Sequence, residues 1–163
     1  MAAKSSAATK SAESTQPELT ITRVLDAPRD LVFRVWTRPE HLVRWWGPTG
    51  FTLPQCKMDL RPGGAFHYVM RSGEEGCAGT HAPNTEHRLR GVFREIKPPE
   101  RLVFTWAWHT MKERESQVTI TIKRDGDGSI LTLLHEKFFD EAARDGHNRG
   151  WTGSLDKLEK LFA

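Results

Sequence analysis

An alternating run near the front, a series of short alternating runs parted by turn residues, and a switch to helical spacing from Asp140 onward predict an α+β chain. The arrangement expected is a helix-grip: a curved antiparallel sheet wrapped around a long C-terminal helix, in the order β-α-α-β6-α. The chain has 163 residues, 37% hydrophobic and 28% charged, enough for one domain with a core.

Residues 1–17 hold Ala, Ser, Thr and Lys with almost nothing to bury, and predict a disordered tail before a domain over 18–163. Glu18 to Asp26 alternates and reads as a strand. Pro28 and Asp30 suit the first turn of a helix, and Leu31, Val32, Val35 and Trp36 give it one apolar face up to Thr37. A second short helix follows Pro39, runs through His41, Leu42 and Trp45, and stops at Gly47-Pro48. Strands are expected over Phe51–Leu60 and Ala65–Arg71, with Arg61-Pro62-Gly63-Gly64 turning between them. A long loop follows, from Ser72 to about Glu86. Arg88–Ile96 and Arg101–His109 flank Lys97-Pro98-Pro99-Glu100. Ser116–Arg124 and Ser129–Phe138 flank Asp125-Gly126-Asp127-Gly128, a strong hairpin signal. Strands in sequence joined by short turns favour an antiparallel meander. From Asp140, residues His147, Trp151, Leu155, Leu158 and Phe162 recur at steps of three and four on one helical face. Gly146, Gly150 and Gly153 weaken an isolated helix, so packing of that face must hold it.

The order of elements is similar to the START-like (SRPBCC) superfamily of polyketide cyclases, lipid-transfer domains and birch-pollen allergens. More specific are Trp45-Trp46-Gly47-Pro48, Asp59-Leu60-Arg61-Pro62-Gly63-Gly64, Pro98-Pro99-Glu100-Arg101-Leu102 followed by Thr105-Trp106, and then His147, Gly150-Trp151 and Leu155. Together, over about Glu18 to Ala163, they resemble the homologues of the 90-kDa heat-shock protein ATPase activator, C-terminal domain type. The resemblance implies a helix-grip fold and a role near stress responses. The chain has no room for the N-terminal chaperone-binding domain of the eukaryotic activator, so a chaperone contact does not follow from the family name.

Twenty-four Lys and Arg against 21 Asp and Glu give a formal charge of +3. The cations are spread among the acids, unlike the stripe of a nucleic-acid binder. No run is long and apolar enough to cross a membrane, and no secretory signal opens the chain. The expected location is the cytoplasm, as a monomer or homodimer. Cys56 and Cys77 form no CxxC pair, and nothing resembles a metal-ligand spacing. No metal or cofactor is therefore expected.

Six Trp and eight Phe stand against one Tyr. Trp36, Trp46, Trp106, Trp108 and Trp151 fall on elements that should surround one space. The plain reading is core packing; the functional one is a cavity wall. Trp45 and Trp46 should point apart, one into the core and one over the pocket mouth. Parity puts Leu102, Phe104, Trp106 and Trp108 on one strand face. Phe66, Tyr68 and Met70 share a face on another strand, and Leu155 comes from the helix. On the last strand Leu131, Leu133 and His135 alternate with Thr132, Leu134 and Glu136, and the Phe66 strand alternates with His67 and Val69; both sets hold apolar members on either strand, so the inward face of each stays open.

His135 and His147 can approach across the pocket mouth. They could orient an anionic ligand, bind a metal or move a proton, or be structural and satisfied by backbone groups. His81 and His87 fall in the long loop and should be solvated. Glu95 and Glu136 are general bases only if they face the cavity. No catalytic triad, nucleophile elbow or phosphate loop is present, so the sequence carries no positive sign of catalysis. The first reading is a module binding a small hydrophobic or aromatic molecule under the C-terminal helix. The alternatives are a cyclase- or hydrolase-type enzyme in the same cavity and a chaperone-related protein-interaction domain.

Overall fold

The computed structural model describes residues 16–73 and 83–163. The expected tail lies outside them apart from Gln16 and Pro17, as do Cys77, His81 and most of the loop after Ser72. Strand β1 (Leu19–Leu25) leads into helices α1 (Arg29–Thr37) and α2 (Pro39–Leu42). Strands β2 (Thr52–Met58), β3 (Ala65–Arg71), β4 (Glu86–Lys97), β5 (Arg101–Trp108), β6 (Ser116–Asp125) and β7 (Gly128–Glu136) follow, and α3 (Glu141–Leu161) ends the chain. The expected order of elements is the observed one.

All seven strands form one antiparallel sheet in the order β1-β7-β6-β5-β4-β3-β2. Neighbours from β2 to β7 are consecutive in sequence, β3 and β4 joined across residues 72–85 and the others by shorter connections. β1 then pairs with β7, with Leu19 opposite His135 and Leu25 opposite Ser129. Asp125 pairs with Gly128 across a two-residue turn. Gly126, at φ 58°, takes the first central position, where a primed hairpin turn favours glycine.

Three boundaries differ from expectation. α2 ends at Leu42, but the Trp45 and Trp46 amides still donate to the Leu42 carbonyl, at 3.2 and 2.9 Å, so one more turn carries the chain to the two indoles. β4 starts at Glu86, which moves His87 from loop to strand; its ring packs 5.6 Å from Phe51 and 6.3 Å from Trp108 instead of standing in solvent. β7 ends at Glu136, and Asp140 caps α3 by accepting from the Ala143 amide at 2.8 Å.

On β5 the inward face is the one parity indicated, and on β3 and β7, where the sequence left it open, the structure shows it. Leu102, Phe104 and Trp106 on β5, Val118, Ile120 and Ile122 on β6, and Phe66, Tyr68 and Met70 on β3 are all buried in one core. On β7 the inward set is Ser129, Leu131, Leu133 and His135. α3 buries Trp151, Leu155 and Leu158 against this surface. Its C-terminal half is tied to β1 through Arg23, which reaches Asp156 at 2.7 Å and Glu159 at 3.0 Å.

One glycine of α3, Gly153, has a packing reason. A Cβ on Gly153 would stand 2.8 Å from the Thr49 amide and 2.9 Å from its hydroxyl. The helix therefore lies directly on the Gly47–Phe51 loop, and only glycine permits that approach. Lys157 fastens the same loop by donating to the carbonyls of Trp46, Pro48 and Phe51 at 3.3–3.4 Å.

Candidate functional site

The Trp-rich elements converge as the composition suggested. Trp36 on α1, Trp46 beyond α2, Trp106 on β5 and Trp151 on α3 form a contiguous aromatic cluster, with ring centroids 5.2–6.0 Å apart in the contacting pairs. Trp45 and Trp46 are both buried, so neither covers an open mouth. Trp45 instead donates to the Val35 carbonyl at 3.0 Å and locks α1 to the turn after α2.

Two histidines finish this cluster. Their ring centroids are 5.2 Å apart. The Trp106 and Trp108 indole N–H groups both donate to His147 Nε2, at 3.2 and 3.0 Å. An indole only donates, so Nε2 accepts, and the other nitrogen, Nδ1, carries the proton and donates to the Ala143 carbonyl at 2.7 Å. The Trp151 N–H donates to His135 Nδ1 at 3.0 Å. His135 Nε2 therefore carries the proton and donates to Ser116 Oγ at 2.7 Å, and Ser116 passes its own proton toward the Trp106 carbonyl at 3.3 Å. Both imidazoles are neutral, and each has one fixed tautomer.

Burial agrees with that assignment. His135 is 0% exposed, and its pKa is held well below the ordinary histidine value, first by burial and then by His147 beside it. The His147 pKa is lowered by burial, partly opposed by its bond to Ala143. Every ring nitrogen already has a partner. Neither histidine has a lone pair left for a metal or a proton left for an anion while these bonds stand. Among the described residues no group of three or more His, Cys, Asp or Glu could hold a metal ion.

Glu95 is exposed and paired with Arg101 at 3.0 Å. Glu136 follows inward-facing His135 and so points to the other side of the sheet. Neither is placed as a base in the core. The Cys56 thiol is half-buried and pushed up to about 12, by burial first and Glu40 second, which leaves it unreactive near neutrality.

Beside the histidine cluster, Trp36, Trp46, Phe66 and Tyr68 enclose a small space together with Phe93, Leu102 and Phe104. Phe93 was not among the sequence candidates, although the alternation Leu89, Gly91, Phe93 on β4 points it inward. Met70 is buried beside Gly47, and Leu155 lies in the core under α3. The free volume of the enclosed space is ≈ 0 Å³. One polar group of its wall is left over: the Trp36 indole N–H is buried, with no hydrogen-bond partner among the described residues.

A seven-stranded antiparallel meander closed on one long C-terminal helix, with two helices after the first strand, defines a helix-grip domain of the START-like class. The family described as activator of Hsp90 ATPase homolog 1-like protein matches residues 26–163, and the chain belongs to that family. Among solved structures it is similar to a protein of Chromobacterium violaceum, at 28% identity over 90% of this chain and 97% of that one, with a TM-score of 0.74. The AHSA1 protein of Silicibacter pomeroyi is also 28% identical, over 89% and 96% of the two chains, with a TM-score of 0.77. CalU16 of Micromonospora echinospora shares 26% identity over 91% and 77%, with a TM-score of 0.67. No curated protein matches the sequence. No helix among the described residues is long and apolar enough to cross a membrane.

Proposed function

We propose that this domain binds a small, uncharged, hydrophobic or aromatic molecule carrying a hydrogen-bond acceptor, in the space that Trp36 and Trp46 close against β3, β4 and β5. The observation that carries the reading is the Trp36 N–H. It is buried in the wall of that space without a partner, and an orphaned donor destabilises a core by about 1–3 kcal/mol. A ligand oxygen beside it removes that penalty. The molecule must be neutral, because no wall residue is charged and a buried unpaired charge is far more costly than a buried polar group.

Entry requires the domain to open, since the closed form leaves ≈ 0 Å³ free. α3 covers the wall from outside through Trp151, whose ring lies 5.9 Å from Trp36 and 5.4 Å from Trp46, and its N-terminal half suits that movement. Glu141 to Gly150 is exposed or half-buried throughout, holds Gly146 and Gly150, and is held inward by His147. Titration of the chain with aromatic ketones, followed by Trp fluorescence, tests the reading. Saturable quenching is expected, with ketones about tenfold tighter than hydrocarbons of the same shape. Trp36→Phe should erase that preference.

The filled core favours one second reading, a protein-interaction domain related to chaperone activation with no ligand at all. It takes precedence if neither ketones nor hydrocarbons bind and amide chemical shifts around Trp36 stay fixed throughout the titration. An enzyme of the cyclase or hydrolase kind has less support, because both histidines are committed to indoles.

A further inference from the structure

Away from the core, a surface groove of ≈ 310 Å³ runs between the start of α1, the β4–β5 turn and the far end of β6. Arg29, Lys97, Arg101, Lys123 and Arg124 line it, against the single carboxylate of Glu100. Five cations and one acid leave a formal +4 in one groove, whereas the whole chain carries only +3. The concentration is local.

The pairing inside the groove is uneven. Glu100 is shared between Arg29 at 3.7 Å and Lys97 at 3.4 Å. Arg101 is turned to Glu95 at 3.0 Å. Lys123 and Arg124 have no ion-pair partner among the described residues, although Asp125 and Asp127 stand close in sequence on the hairpin turn. Like charges held around one concavity raise its potential and draw in an anion.

We infer that this groove binds a small molecule carrying two or more phosphates. With Arg101 offset by Glu95 the groove keeps a formal +3, which suits a pyrophosphate or nucleoside diphosphate better than one carboxylate. Arginine forks favour phosphate oxygens in paired geometry. The volume falls at the lower end of small-ligand sites, roughly 300–1,000 Å³. The site is independent of the apolar space beside Trp36.

The test is a titration of the full chain with pyrophosphate, ADP and a single-stranded oligonucleotide, at low and at moderate salt, read by amide chemical shifts and calorimetry. Pyrophosphate and ADP should saturate, with shifts centred on Arg101, Lys123 and Arg124 and with affinity falling as salt rises. If ADP and pyrophosphate bind alike, the phosphates are the whole determinant; tighter ADP adds a nucleoside contact. The double variant Lys123→Gln/Arg124→Gln, exposed and outside the core, should lose about tenfold or more. The control Arg90→Gln/Lys112→Gln removes the same charge elsewhere and should change affinity by less than about twofold, the scale of a diffuse surface-charge effect. Equal losses in both variants would overturn the inference, since the attraction would then be net charge alone. So would an absence of shifts at the groove, or binding by the oligonucleotide only.

Discussion

Acidification should unfold this domain earlier than its carboxylates alone would require. His135 and His147 are held neutral, each with its only acceptor nitrogen taken by indole N–H groups. Protonating either one puts a proton where a donor already points. Both pKa values are lowered in the fold, with burial as the first cause. The unfolded chain, with ordinary histidines near 6.5, therefore binds more protons than the folded one at lower pH. Stability is fully present above about pH 6.5 and is lost as pH falls toward the folded values. Each histidine still neutral in the fold contributes a slope of about 1.4 kcal/mol per pH unit. Because the unfolded imidazole is only half protonated at 6.5, a pair that stayed neutral in the fold throughout would remove at most about 3 kcal/mol from pH 6.5 to 5. His147, partly exposed and favoured when charged by its bond to Ala143, should supply the smaller part. Urea unfolding at half-unit steps from pH 7.5 to 4.5, followed by Trp fluorescence, measures the slope. The variant His135→Asn/His147→Asn should be less stable at pH 7.5 and lose most of the slope between 6.5 and 5. A wild-type midpoint that stays flat across that window would refute the neutral, indole-locked assignment.

Two further outcomes follow from the same packing. Trp151→Phe keeps an aromatic ring under α3 but strips His135 Nδ1 of its donor; urea unfolding should show a loss of about 1–3 kcal/mol from the orphaned acceptor. Trp151→Ala should add a cavity term and reach about 3–5 kcal/mol or more. The helix glycines should separate in sign by thermal melting: Gly146→Ala, whose Cβ meets nothing nearer than the end of the Arg149 side chain at 3.8 Å, should stabilise by up to about 1 kcal/mol. Gly153→Ala, driven into Thr49, should instead destabilise by about 1–3 kcal/mol.

Periodicity made the elements legible because each strand and helix buries one face and exposes the other. Leu102, Phe104 and Trp106 could be placed inward from spacing and bulk, and so could Trp151, Leu155 and Leu158 from spacing. His135 could not, because Ile130 and Leu134 make the opposite face of β7 just as apolar as its own. What draws His135 inward is Ser116, 19 residues earlier, and Trp151, 16 residues later. A hydrophobic pattern carries no record of such distant hydrogen-bond partners. Gly153 was hidden for a similar reason. As a helix residue it looks like a weakness, and its purpose shows only when Thr49 arrives against it.

The same limit applies to the pocket. Lining a cavity and filling one call for the same residues, since both bring apolar and aromatic side chains to a shared interior. Trp36, Trp46, Phe66 and Tyr68 do converge, yet the space they share has ≈ 0 Å³ free. Volume alone would make them ordinary core. The leftover Trp36 N–H argues otherwise, because a core selected only to be filled gains from replacing an unpartnered donor by carbon. An N–H left unpartnered in so apolar a wall is the feature on which the proposed binding role rests.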